Sequence, residues 1–284
     1  MARGKSVFTA RQWRSKVGEF IRCCGEKDNY DRADVIKFLA QLREAGWKQS
    51  SIEVMMRPLK LLAQIQKWPE GFPRLSMRKV SSDEVNRPIM SFHEVRTFIE
   101  RGREVLTDRE LSVLALSTIY GLRREELCTA EVGVDKVKIN TAKGGRVVTH
   151  LVPEEIKSYI VGYTHSDIYY MTKMFHRMVG KVGISLPGKA FGWHSIRRAL
   201  VTELVARDVS LLSIIRFMRW SDATLKGEFG MVSLYTVRSQ AEIDRSVFAV
   251  HPFLSAWRQQ SHTVFSPSPG SDEIEAHPAY MGSP

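Results

Sequence analysis

The sequence predicts a mainly α-helical protein with one small β-hairpin, built as two domains joined by a linker. Three observations carry that reading. Apolar residues recur at helical spacing through most of the chain, as in Val35, Phe38, Leu39 and Leu42, at i, i+3, i+4 and i+7. Strict alternation stands out once, where Val137 and Ile139 alternate with Lys136, Lys138 and Asn140. Between the helical beginning and the rest, residues 69–90 carry Pro69, Gly71, Pro73 and Pro88 with few apolar anchors.

The first domain, 1–80, opens with a stripe of Trp13, Val17, Phe20 and Ile21. The helix through Val35 and Leu42 follows, with Gly46 placed to cap its end. Ser50 and Glu53 form a capping-box pattern ahead of Met55, Met56, Leu59 and Leu62, and Pro58 is expected to kink or restart that helix. The linker proper is 81–90. The second domain, 91–260, begins with two more capping-box patterns, Ser91 with Glu94 and Thr107 with Glu110. The helix from Thr107 to Tyr120 is apolar on most sides, so it is expected to be buried. Val147, Thr149 and Leu151 then supply the partner of the alternating strand, across a Gly144-Gly145 turn. Helices are expected again at 153–161, 166–182, 195–207 and 210–219. Ile243, Val247, Phe248, Phe253, Leu254 and Trp257 mark a last helical stretch. The tail, 261–284, is rich in Ser, Pro and Gly and is expected to be disordered.

Composition narrows the function. The chain of 284 residues is 43% hydrophobic, enough for real cores. Its formal net charge is +11, divided as +8 over residues 1–87, +6 over 88–260 and −3 over 261–284. Two successive basic regions suit a polyanion, because neutralising phosphates releases condensed counterions. Both domains are therefore expected to contact duplex DNA, as a clamp. Adjacent Cys23 and Cys24 with a distant Cys128 give neither a disulfide framework nor metal-ligand spacing. No apolar run reaches membrane-spanning length and the N-terminus lacks a secretory signal, so the expected location is intracellular, on DNA, without membrane contact.

The polar residues of the second domain form an ordered series. Tyr120-Gly121-Leu122-Arg123-Arg124-Glu125-Glu126-Leu127 puts an arginine in the turn after the buried helix. Lys143 stands at the hairpin tip, in Thr141-Ala142-Lys143-Gly144-Gly145-Arg146. His194-Ser195-Ile196-Arg197-Arg198 opens a helix, and His194, Arg197 and Arg198 share one face of it. Arg219-Trp220-Ser221-Asp222 closes the next helix, and Tyr235 lies beyond. Each has a plainer reading: Arg123 pairing with Glu126, His194 as a polar cap, Lys143 in solvent, Trp220 and Tyr235 as packing aromatics.

This order resembles the tyrosine recombinase (integrase) family: arginine in a GLR-x-x-EL box, lysine in a β-hairpin, H-x-x-R, histidine or tryptophan, then tyrosine. The resemblance covers most of the chain and implies a two-domain architecture: a helical core-binding domain and an α/β catalytic domain. The sequence departs from the family pattern at Arg198, where many members have histidine, and in its longer Trp220–Tyr235 spacing. The resemblance implies site-specific cutting and rejoining of double-stranded DNA through a 3′-phosphotyrosine, without ATP, metal or cofactor. Arg123 and Arg197 would clamp the non-bridging phosphate oxygens, and His194 would take the tyrosine proton. Lys143 would protonate the leaving 5′-oxygen, Trp220 would donate its indole N–H, and Tyr235 would be the nucleophile. The family also implies a homo-tetramer on DNA, a dimer per site, joined through the segment after the nucleophile. A type IB topoisomerase-like enzyme and a catalytically silent DNA-binding relative remain alternatives.

Overall fold

A computed structural model describes residues 7–68, 71–73, 88–141, 147–185, 191–220 and 238–258. The chain divides into two compact units, Met1–Asn86 and Arg87–Pro284.

The first unit contains α1 (Val7–Cys24), α2 (Arg32–Glu44) and α3 (Gln49–Ile65). Its core gathers the apolar stripes around Phe20, whose ring lies 4.9 Å from Tyr30, 5.4 Å from Phe38 and 6.2 Å from Trp68. A reciprocal capping box opens α2: Asp34 N donates to Asp31 Oδ1 at 2.9 Å, and Asp31 N donates to Asp34 Oδ2 at 3.1 Å. Gly46, at φ 72°, follows the end of α2 in the left-handed conformation expected of a capping glycine. The Ser50–Glu53 pattern is not a cap. Helix α3 starts two residues earlier, with Lys48 at the N-cap and no side-chain cap bond, so both residues lie inside the helix. Pro58 neither ends nor restarts α3: it is buried within one continuous helix.

The second unit opens with α4 (Phe92–Val105) and α5 (Asp108–Tyr120), each started by the capping box expected of it. Every residue from Glu110 to Tyr120 is buried, which makes α5 the axis of the core. After α6 (Glu126–Thr129) come β1 (Glu131–Val132), β2 (Lys136–Asn140) and β3 (Val147–Leu151), an antiparallel sheet in the order β1-β2-β3. Strand β1 is too short to show alternation. Val137 and Ile139 point inward as expected, but β3 presents the other face: Val147 and Thr149 are exposed, while His150, opposite Val137, is fully buried. Because side chains alternate, one residue of register exchanges the two faces.

The remaining helices are α7 (Glu154–Ile160), α8 (Ile168–Val182), α9 (Trp193–Ala206), α10 (Leu211–Phe217), α11 (Gln240–Phe248) and α12 (Leu254–Trp257). The segment expected to reach a neighbouring protomer instead packs in its own unit. Ile243, Val247, Phe253 and Trp257 join the same core as α5, and Trp257 Nε1 donates to Thr118 Oγ1 at 3.1 Å. Exposing so many large apolar side chains would cost several kcal/mol, which keeps them at home. The tail at 261–284 and the linker up to Arg87 lie outside the described residues. Among the described residues, no helix is long and apolar enough to cross a membrane.

Candidate active site

The site grows from the end of α5. Gly121 takes φ 57° and turns the chain away from the helix. A Cβ there would meet Met218 Cε, the tip of a flexible side chain, at 2.7 Å, so it is the left-handed conformation that favours glycine. The turn delivers Arg123, then Glu126, which is completely buried at the start of α6.

Three arginines from distant segments surround the Glu126 carboxylate. Arg123 Nη1 donates to Oε1 at 2.5 Å, and the Arg123 backbone N–H donates to Oε2 at 2.9 Å. Arg219 Nη2 donates to Oε2 at 3.0 Å, and Arg197 Nη1 stands 3.9 Å from the same oxygen. Burial alone would raise the Glu126 pKa; Arg219, the Arg123 N–H and the charges of Arg197 and Arg123 instead hold it below the usual carboxylate value. Arg197, on α9, is fixed by donating Nη1 to Gly121 O and Nη2 to Met218 O. Burial, then the charges of Arg219 and Arg123, push its pKa well down. Three guanidiniums around one carboxylate leave an excess of positive charge, suited to a phosphate.

His194 sits in the first turn of α9, exposed, and three residues before Arg197. Partial burial, then Arg197 and Arg198, push its pKa below the ordinary histidine value, which favours the neutral, proton-accepting imidazole. It lines a cleft with Glu125, Thr172, His176 and Trp193. Arg198 Nη1 donates to Pro88 O at 3.0 Å. Trp220 is half-buried against the core of the second unit. The expected general acid Lys143 and nucleophile Tyr235 lie outside the described residues, within 142–146 and 221–237.

The structure thus brings Arg123 and Arg197 to one carboxylate, with His194 near by on α9. The Arg123–Glu126 pairing, a plainer reading of that arginine, does form. Sequence reasoning missed Glu126 as the hub and missed the buried partners behind it. Arg219 also bonds His150 Nε2 at 3.2 Å, and His150 Nδ1 meets Asp244 Oδ1 at 2.8 Å. The one available signal was His150, a polar residue at an inward position of β3.

No protein-family model matches the chain. It is 24% identical over 229 residues to the tyrosine recombinase XerA of Pyrococcus furiosus (strain ATCC 43587 / DSM 3638 / JCM 8422 / Vc1), covering 73% of this chain and 78% of that protein. Its fold is similar to lambda integrase (residues 75–356) bound to DNA, with a TM-score of 0.62 at 15% identity over 81% of this chain and 90% of that one. It is also similar to a lambda integrase tetramer bound to a Holliday junction, with a TM-score of 0.61 at 14% identity over 84% and 74%. For the XerH recombinase bound to palindromic difH substrate, after cleavage, the TM-score is 0.56 at 13% identity over 87% and 80%. By sequence and by fold, the chain is similar to the tyrosine recombinases.

Proposed function

We propose that the protein is a site-specific DNA recombinase that cuts and rejoins duplex DNA through a 3′-phosphotyrosine on Tyr235. The observation that carries this reading is the meeting of Arg123 and Arg197, far apart in sequence, at the buried carboxylate of Glu126. Paired guanidiniums held this way suit the charge that develops on phosphate oxygens during transfer. In the forward step the Tyr235 oxygen attacks phosphorus and its proton passes to neutral His194. The new bond joins phosphorus to tyrosine, the bond to the 5′-oxygen breaks, and Lys143 protonates that oxygen as it leaves. Trp220 donates its indole N–H to a phosphate oxygen. Rejoining runs the same steps in reverse with a 5′-hydroxyl from another strand, so neither ATP nor a metal ion is consumed.

The helical domain 1–80 acts as the core-binding domain and 91–260 as the catalytic domain, joined by 81–90. Each contributes phosphate contacts, consistent with the net +8 of residues 1–87. Assembly on DNA is as a homo-tetramer, a dimer at each site. The test uses a nicked duplex carrying the sequence that the protein selects from a random pool. A covalent protein–DNA band on a denaturing gel is expected from the natural chain and absent from Tyr235→Phe; adduct from the Phe variant would reject the assignment. Lys143→Ala is expected to slow cleavage and to be rescued by a 5′-bridging phosphorothiolate, whose leaving group needs no proton.

A further inference from the structure

The clamp arginines do not explain why the second unit buries His150 and Asp244. Both are fully buried, as is the side chain of Arg219, and together with Glu126 they form one chain of polar contacts. Arg219 can only donate, so His150 Nε2 is the acceptor of its 3.2 Å contact. The ring proton therefore lies on Nδ1, directed at Asp244 Oδ1, 2.8 Å away. Asp244 also accepts from Leu151 N at 2.8 Å and from Gln240 Nε2 at 2.8 Å. At the other end, the Arg219 fork bonds Tyr120 O, Phe217 O and Glu126 Oε2, each at 3.0 Å. Arg219 holds φ 55°, a left-handed conformation that a long side chain seldom adopts.

The positions along the chain are informative. Arg219 stands two residues before Ser221, and α11, which carries Gln240 and Asp244, begins five residues after Tyr235. The His150 ring therefore ties together the two flanks of the stretch that contains the tyrosine. Through Arg219 it is also one bond from the carboxylate that holds Arg123.

We propose that Arg219, His150 and Asp244 are positioning residues for strand cleavage. They fix both flanks of the Tyr235 stretch to each other and neutralise Glu126 from behind, so that Arg123 and Arg197 are free to engage phosphate. The inference rests on the recombinase reading. A contrary account makes the chain a packing device only; buried ion networks can often be replaced by apolar residues without loss of stability. Substitution at His150 separates the two accounts. His150→Gln keeps an acceptor for Arg219 and an N–H for Asp244, whereas His150→Leu fills the space and makes neither bond.

The probe is the nicked duplex selected by the natural chain, with covalent adduct formation and equilibrium binding measured side by side. His150→Gln is expected to cleave within about five-fold of the natural rate, and His150→Leu to lose on the order of 100-fold, with both binding DNA to within a few-fold. Equal rates for Leu and Gln, or binding and cleavage falling together, would overturn the positioning role. Should the Leu variant not fold, the ¹⁵N resonances of His150 in the natural chain decide. A neutral Nδ1–H ring whose signals shift when the nicked duplex binds is expected; a protonated ring, or unchanged signals, would overturn it. If the natural chain itself forms no adduct, the recombinase reading falls and takes this inference with it.

Discussion

Phe20, Tyr30, Phe38 and Trp68 close the core of the first unit around side chains that need little but space. Among the described residues of that unit, Asp34 is the one buried charge, and it serves to cap α2. The second unit has an apolar core of the same kind around α5, but it also buries Glu126, His150, Arg197, Arg219 and Asp244. All eight histidines of the chain lie beyond residue 90. The core of a helical unit needs no network of buried ions, as the first unit with its lone Asp34 shows, and charges are expensive to remove from water. Their concentration in one unit is the physical ground for proposing that the chemistry lies there.

The comparison can be broken most forcefully at Glu126. Glu126→Ala strips the counter-charge from buried Arg197 and Arg219 and is expected to destabilise the second unit by about 3–5 kcal/mol. Unfolding in denaturant measures this; a loss no larger than that of an exposed substitution would show the network to be incidental. Arg123→Ala should cost less stability than Glu126→Ala, since Arg219 still pairs with Glu126, but should slow cleavage on the order of 10²-fold or more while DNA binding persists. Equal losses of binding and cleavage would argue for a role in grip alone.

Acid should distinguish the two units. His251 is fully buried; burial, against the bond from Nε2 to Ile119 O, pushes its pKa down to about 3. The unfolded chain takes up that proton near the ordinary histidine value of 6.5, so stability of the second unit falls as pH drops through the window between 6.5 and about 3. Asp34, despite its burial, is held below 3.8 by Lys27 and the Asp31 N–H, so its contribution is intact above 3.8 and lost only at lower pH. Protection from hydrogen exchange, corrected for the intrinsic rate at each pH, should therefore fall between pH 7 and pH 5 in α5 and not in α2; the reverse order would contradict the comparison. The smallest effect belongs to the first unit: Asp31→Ala removes one half of a capping box and should cost about 1 kcal/mol, read as a shift in its unfolding midpoint.

Local signals made much of the fold legible. The boxes at Ser91–Glu94 and Thr107–Glu110 were recoverable because a cap is a contact between near neighbours. The same logic misread Ser50 and Glu53, since a cap works only at the residue where the helix starts and Lys48 already held that place. The buried face of β3 was not legible because Val147, Thr149 and Leu151 look as strand-like as Val148 and His150; tertiary packing chose between them. At the candidate site, the order of motifs singled out Arg123, His194 and Arg197, and the fold brings the two arginines to one carboxylate. Glu126, His150, Arg219 and Asp244 were not, because their meeting depends on four segments brought together by the fold, and no spacing along the chain encodes it.

The central claim is that Tyr235 becomes bonded to DNA. Trapping the natural chain on a nicked duplex, digesting both partners and sequencing the nucleotide-bearing peptide by mass spectrometry tests it directly. The account predicts a single modified peptide containing Val232-Ser233-Leu234-Tyr235-Thr236, with the added mass on Tyr235. A nucleotide on Tyr159, Tyr163, Tyr169, Tyr170 or Tyr280 would contradict it.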